Sequence, residues 1–314
     1  MQKKKLGRVV IVGAGAVGGY YGARLAAAGE DVTFLLRADY AYVNQHGLEV
    51  QSVAGDLRLP QVQCAQTSAE IGEADLVIIA WKATANDHLE EVLRPLVGAH
   101  TILLTLQNGL GNCERLAELY GAERVLGGLC FVCINRIAPG VISHTAAGLI
   151  RIGEYAHSGV SARLEQIVDR FTQAGVPCEA VSSLEKALWM KLVWNIPFNG
   201  LAIAEGGVDT QIILQERGLE PEVRALMQEV VAVASALGHT IPPAFVEKQL
   251  EITHPMGPYR PSSMIDYVQD RPVEYEAIWG HPLQVAHRLN VPVPHMQALA
   301  DRIHHRLNTR SNAT

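Results

Sequence analysis

Gly13-Ala14-Gly15-Ala16-Val17-Gly18 is the first string with residue types and spacing that suit chemistry. It lies between the β-branched run Val9-Val10-Ile11-Val12 and a helix-permitting stretch that Gly29 closes. A second strand, Asp31 to Leu36, follows, with Arg37 at its end. A G-x-G-x-x-G string alone is weak evidence. Set between a buried strand and a helix, with another strand within about thirty residues, it points to a dinucleotide. Gly13 permits the tight turn, Gly15 lets the backbone approach a pyrophosphate, and Gly18 allows close helix–strand packing. Unpaired N–H groups and the positive dipole end of the helix then face the phosphates. An NAD site usually carries an acidic residue about twenty positions past the loop, on the ribose 2′-hydroxyl. A guanidinium there pairs with a 2′-phosphate instead. Arg37 therefore points to NADP, while Asp39 beside it leaves NAD open.

Lys191, Asn195 and Asn199 form a second group. They interrupt a run, Leu188 to Phe198, that is apolar on almost every side. A helix of that kind is buried. The spacing i, i+4, i+8 puts the three polar side chains on one stripe. A buried ammonium is costly unless it is paired or solvated in a cleft. The alternative is a stripe that faces water, although a solvated face normally carries more charge. Pro197 removes one helical hydrogen bond. A third stretch reads Pro261-Ser262-Ser263-Met264-Ile265-Asp266, then Arg271-Pro272-Val273-Glu274. Spacing alone makes Glu274 a solvated helix residue.

The elements that must position these residues follow from periodicity. At 314 residues the chain exceeds one typical domain, so two are expected. Strands and helices alternate through residue 120, as in a parallel doubly wound sheet. Leu48 to Leu59 reads as a hairpin turned at Ala54-Gly55-Asp56. Asp75 to Ala80 is a buried strand ending at Trp81-Lys82, Asp87 to Leu96 is helical, and Thr101 to Leu106 is the strand that ends at Gln107-Asn108-Gly109. Ligands of such sheets bind beyond the carboxyl ends of the strands. The Gly loop, Arg37, Lys82 and Asn108 all fall there. Arg124 to Tyr155 reads as strands with a turn at Pro139-Gly140. After Val181 the pattern is helical. The reading is an α/β chain: a Rossmann-type doubly wound domain over 1–181 and an all-helical domain over 182–314.

Composition bounds the function. The chain is 48% hydrophobic and 18% charged, with net charge −6, which argues against general affinity for nucleic acid or acidic membranes. Five cysteines form no disulfide framework and fit a reduced, cytoplasmic compartment. Cys130-x-x-Cys133 lies in a strand-like run, not at a helix start where a redox pair is activated, and reads as buried core. Lys3-Lys4-Lys5 before apolar residues imitates a secretory signal, but the glycines from Gly13 to Gly22 and Arg24 fit a first βα unit better. No stretch of about twenty apolar residues exists. No metal site is read from the sequence.

With these stretches in place the chain resembles the ketopantoate reductases (2-dehydropantoate 2-reductases) over nearly its whole length. The resemblance is carried by the Gly loop with Arg37, Trp81-Lys82-Ala83, Gln107-Asn108-Gly109, the Lys191/Asn195/Asn199 helix and the Ser-Met-x-x-Asp…Arg-Pro-x-Glu segment. It implies NADPH-dependent reduction of a 2-oxoacid, first of all 2-dehydropantoate to pantoate in pantothenate and coenzyme A biosynthesis. It implies Lys191 as general acid and Glu274 as its partner. Asn108, Asn195, Asn199 and Ser262 are implied substrate contacts, and Arg37 and Lys82 are implied at the 2′-phosphate. Asn108 also stands at a cofactor-binding strand end. The family pattern places Ser directly before Met, which selects Ser263. Counting back from Glu274 without a gap selects Ser262, preferred because a gap inside a packed helix would rotate later side chains by about 100°.

The chemistry agrees. Hydride delivered to a ketone carbon puts negative charge on the carbonyl oxygen, so a cation must meet it and a proton must arrive. Other readings are a reductase of another 2-oxoacid, a β-hydroxyacid dehydrogenase and a non-enzymatic NADP sensor. The segment around Glu274 argues against the dehydrogenase, and the Lys191 constellation against the sensor. The expected partner is a small 2-oxoacid, with no nucleic acid or membrane. A homodimer is compatible with a helical second domain.

Overall fold

The computed structural model describes residues 5–311, so Lys3 and Lys4 lie outside the described residues. The chain forms two compact units. One comprises Met1–Gln107 and Asn112–Leu184, the other Asn108–Gly111 and Glu185–Thr314.

The first unit is a ten-stranded sheet with helices. β1 (Arg8–Val12) pairs in parallel with β2 (Asp31–Leu35) on one side and β6 (Ala74–Ile79) on the other. Val9 to Val12 are fully buried, which explains an unbroken β-branched run rather than alternation. β7 (Val97–Thr105) and β8 (Val125–Ala138) extend the parallel set, and β5 (Gln63–Ala65) closes its far edge beside β2. Helix α1 (Ala16–Ala27) follows β1 directly.

Beyond β8 the sheet is mixed. β9 (Val141–Glu154) runs antiparallel to β8 around the Pro139-Gly140 turn. The hairpin of β3 (Leu48–Ser52) and β4 (Leu57–Leu59) pairs with β9, not with its sequence neighbours, so Val50 faces Ile142. β10 (Cys178–Val181) pairs with β9 further along. The order is β4-β3-β9-β8-β7-β6-β1-β2-β5. A doubly wound parallel core is thus extended by antiparallel pairing, which local periodicity does not specify.

Two expectations are corrected in this unit. Asp87 to Leu96 is a 3₁₀ turn over Ala83–His88 and a short helix, Leu89–Leu93, not one helix. Cys130 and Cys133 do lie on strand β8, but they are half-buried, because the strand leaves the core as it runs toward its exposed tip. All five cysteines are free thiols.

The second unit is helical, and its core is built on the helix Leu184–Ala204. Trp189, Val193, Ile196, Phe198 and Leu201 of that helix are buried with residues of Glu220–Ala236 and Pro294–Ser311. Pro197 lies inside the helix. The apolar girdle read from the sequence is therefore real burial. Among the described residues no helix is long and apolar enough to cross a membrane, and no cluster of His, Cys, Asp and Glu suits a metal ion.

Candidate active site

In the first unit the candidate site lies at the carboxyl ends of β1, β2, β6 and β7. The chain leaves β1 at Gly13, whose φ is +89°. A Cβ there would stand 2.4 Å from the Trp81 backbone nitrogen, so the turn demands glycine twice over. At Gly18 a Cβ would meet the Gly13 oxygen at 2.4 Å, so α1 approaches β1 closely at this point. Gly15 differs: a Cβ on it would have nothing within 4 Å, and the backbone there borders open space. Gly15 is also the N-cap of α1 and brings no side chain to the helix start. Ala14 lies in the loop, and the first N–H groups of the helix, those of Ala16, Val17 and Gly18, have no partner one turn back in it. A strand–loop–helix that opens at its second glycine suits a pyrophosphate.

Arg37 is exposed just beyond β2, with its guanidinium carbon 5.9 Å from the centroid of the Trp81 ring. Such a distance is a cation–π contact. Lys82 follows Trp81 as the N-cap of the 3₁₀ turn Ala83–His88, and its Nζ is shielded from solvent. Asp39 is only 8% exposed, and its carboxylate accepts a hydrogen bond from Arg136.

A polar hub holds this edge. Asn86 Oδ1 accepts from Trp81 Nε1 at 3.2 Å and from Gln107 Nε2 at 2.7 Å. Asn86 Nδ2 donates to Asn112 Oδ1 at 2.8 Å, and Thr105 Oγ1 donates to Gln107 Oε1 at 2.9 Å. One amide thus ties the loop after β6 to the loop after β7. No pattern in the sequence marks Asn86, because a turn asparagine is ordinary; only the register of the two strands makes it a hub.

In the second unit the polar stripe has its own partners. Lys191 is half-buried, and its ammonium donates to Asn108 Oδ1 at 2.8 Å. Asn108 belongs to the four-residue segment that the chain contributes to this unit before returning for the helix Asn112–Tyr120. That segment is anchored. Leu110 N–H donates to the Ala277 carbonyl at 2.8 Å, and His281 Nδ1 lies 3.1 Å from the Leu110 carbonyl as donor. Gly109 has φ +80°, and a Cβ on it would stand 2.1 Å from the Ala277 oxygen. Ala277 lies in a π-helical turn, Glu276–Gly280, a distortion frequent at functional sites.

Asn199 is 2% exposed. Its Oδ1 accepts from Ser263 N–H at 2.9 Å, and its Nδ2 donates to the Asn195 carbonyl at 3.2 Å. Ser262 is exposed and Ser263 buried, in the first turn of the helix Ser262–Val268. Glu274 is 8% exposed, just ahead of the π-helical turn. It is not the solvated residue that spacing suggests, since the helix there is interrupted and its periodicity does not carry through. Trp194 Nε1 donates to Thr253 Oγ1, and its ring meets Tyr259 edge-on at 6.0 Å. The Thr253-to-Arg260 segment therefore packs against the helix one residue before Asn195.

The family description Ketopantoate reductase PanE/ApbA matches residues 9–157, and its C-terminal counterpart matches residues 183–307. A 2-dehydropantoate 2-reductase of Nostoc sp. is 43% identical over 296 residues, covering 93% of this chain and 92% of its own. The chain belongs to the ketopantoate reductase family. It is accordingly an oxidoreductase acting on CH–OH groups. Solved structures agree with this family in fold. A 2-dehydropantoate 2-reductase from Geobacter metallireducens superposes with TM-score 0.92 at 45% identity, covering 95% of this chain and 99% of that one. One from Methylococcus capsulatus superposes with TM-score 0.89 at 33% identity, covering 96% and 97%. In this ketopantoate reductase fold the Rossmann-type sheet and the helical second part are those expected from the sequence.

Proposed function

We propose that this chain reduces a 2-oxoacid, 2-dehydropantoate first, with NADPH. The observation that carries the reading is the Lys191 ammonium on Asn108 Oδ1, set within an apolar helix. A lysine on such a helix, aimed by a neutral amide, keeps a cation and a proton available. The relatives' names supply the substrate. The product, pantoate, places the reaction in pantothenate and coenzyme A biosynthesis. Free thiols throughout fit a cytoplasmic enzyme.

The open cradle at Gly15 fits a dinucleotide pyrophosphate, and Arg37 with Lys82 fit a 2′-phosphate. When bound, NADPH supplies the hydride that the ketone carbon receives. Lys191 then meets the oxyanion that develops on the substrate and gives it one proton from Nζ, leaving a neutral amine that solvent reprotonates. Asn108 aims that ammonium. Glu274 acts as its partner at the substrate. Asn195 and Ser262 orient the carboxylate and hydroxyl groups of the substrate without adding charge, and Asn199, bonded to Ser263 N–H and the Asn195 carbonyl, holds those two residues in place.

Purified protein with NADPH and a panel of 2-oxoacids tests the reading. Oxidation of NADPH dependent on 2-dehydropantoate supports it. No turnover with NADPH, but reduction of NADP+ by hydroxyacids in a parallel assay, would identify a dehydrogenase, and binding without turnover a sensor.

A backbone variant probes the aim of Lys191. Gly109→Ala forces a side chain into the Ala277 carbonyl at a positive φ. The segment must lift, and Asn108 moves with it. Misplacement of about 1 Å at a reacting group costs up to roughly a hundredfold. The expected result is a turnover lower by about tenfold to a hundredfold. Full turnover would show that Asn108 does not position the ammonium.

A further inference from the structure

We propose that Arg136 sets cofactor choice by holding the Asp39 carboxylate out of the nucleotide site; the inference rests on the NADPH reading above. Asp39 stands two residues after Arg37, where an acidic side chain would favour a ribose 2′-hydroxyl and repel a 2′-phosphate. It directly precedes the helix Tyr40–His46 with φ −86° and ψ −3°, not the extended backbone from which an N-cap side chain accepts, and it makes no cap hydrogen bond. Its carboxylate is turned instead to Arg136 Nη1, at 2.5 Å, and is buried.

Arg136 comes from 97 positions away, near the exposed tip of the β8–β9 hairpin, opposite Ile142. Its side chain is 47% exposed, so it is not needed to fill a core. The carboxylate is therefore held by a distant guanidinium and not by the local helix start. The consequence is electrostatic. With the Asp39 carboxylate paired to Arg136, Arg37 presents its charge at the strand end without a competing anion beside it. Without Arg136, a carboxylate in the same loop is left to find solvent, Arg37 or the ribose.

Titration of NADPH and NADH onto the intact protein by calorimetry reads this directly, with no turnover required. The wild type should prefer NADPH. Arg136→Met should shrink the NADH-to-NADPH ratio of Kd values by at least about tenfold, because the freed carboxylate then stands near the 2′-phosphate as a like charge. Arg136→Lys should keep most of the preference. Adding Asp39→Asn to Arg136→Met should return the ratio toward wild type, because the stranded charge is gone. A thermal melt of each variant accompanies the titration. An unchanged ratio in Arg136→Met overturns the proposal: the Asp39 carboxylate then stays clear of the nucleotide without its arginine. Parallel weakening of both cofactors overturns it in favour of a structural role. Failure of Asp39→Asn to restore the ratio also overturns it, because Arg136 would then touch the phosphate itself. Equal affinity of the wild type for both cofactors strikes the NADPH reading itself, a result distinct from a wild type that prefers NADPH and a variant that keeps the preference.

Discussion

Lys191→Ala is expected to lower turnover on the best 2-oxoacid by at least about a hundredfold, the lower worth of a positioned proton donor. Cofactor affinity should hold, since Lys191 belongs to the helical unit and the Gly loop to the other. The fold should hold as well. Lys191 is only half-buried, and the apolar residues around it on the helix, Trp189, Leu192 and Val193, keep their burial without its tip. The variant leaves Asn108 without the 2.8 Å donor, a small loss beside the catalytic one. Glu274→Ala should also cut activity, in part through a raised KM. The two losses should not add in the double variant, because groups that act as one unit are non-additive. Steady-state reduction of 2-dehydropantoate beside a thermal melt decides the matter. A lysine that is merely structural would shift the melt and spare turnover; near-wild-type turnover would remove Lys191 from the mechanism.

The second large effect is on the cofactor. Arg37→Asp should weaken NADPH binding by about a hundredfold or more, since a charge-assisted contact contributes about 1.5–3 kcal/mol and the new carboxylate repels the phosphate in addition. NADH should be spared, or gain, because the same carboxylate can accept from a ribose hydroxyl. The side chain is exposed and contacts the Trp81 ring, so the substitution costs little in packing. Direct titration of both cofactors measures it. Equal loss for NADPH and NADH would mean that Arg37 supports the Trp81 surface and not the 2′-phosphate.

Much of this architecture is written locally. Val9 to Val12 followed by Gly13 to Gly18 carries strand, turn and helix in consecutive residues, and the positive φ at Gly13 is a property of that turn. Lys191, Asn195 and Asn199 share a stripe because helical spacing alone places them so. The helix Leu184–Ala204 is buried because its apolar residues surround it, and the sequence displays that without any partner in view.

What pairs with these residues is a different kind of fact. Asn108 reaches Lys191 across 83 positions, and Arg136 reaches Asp39 across 97. The segment Leu48 to Leu59 is legible as a hairpin, yet its place beside β9 is not. Asn86 looks like any turn asparagine until β6 and β7 lie side by side. Glu274 reads as solvated when helical periodicity is extended over a segment that holds a π-helical turn. Elements, Gly loop and stripe are local matters, because helix and strand periods act over a few residues. Which donor meets which acceptor is settled by the folded chain, because a hydrogen bond needs its partners within about 3 Å, and strand register and helix packing set that distance.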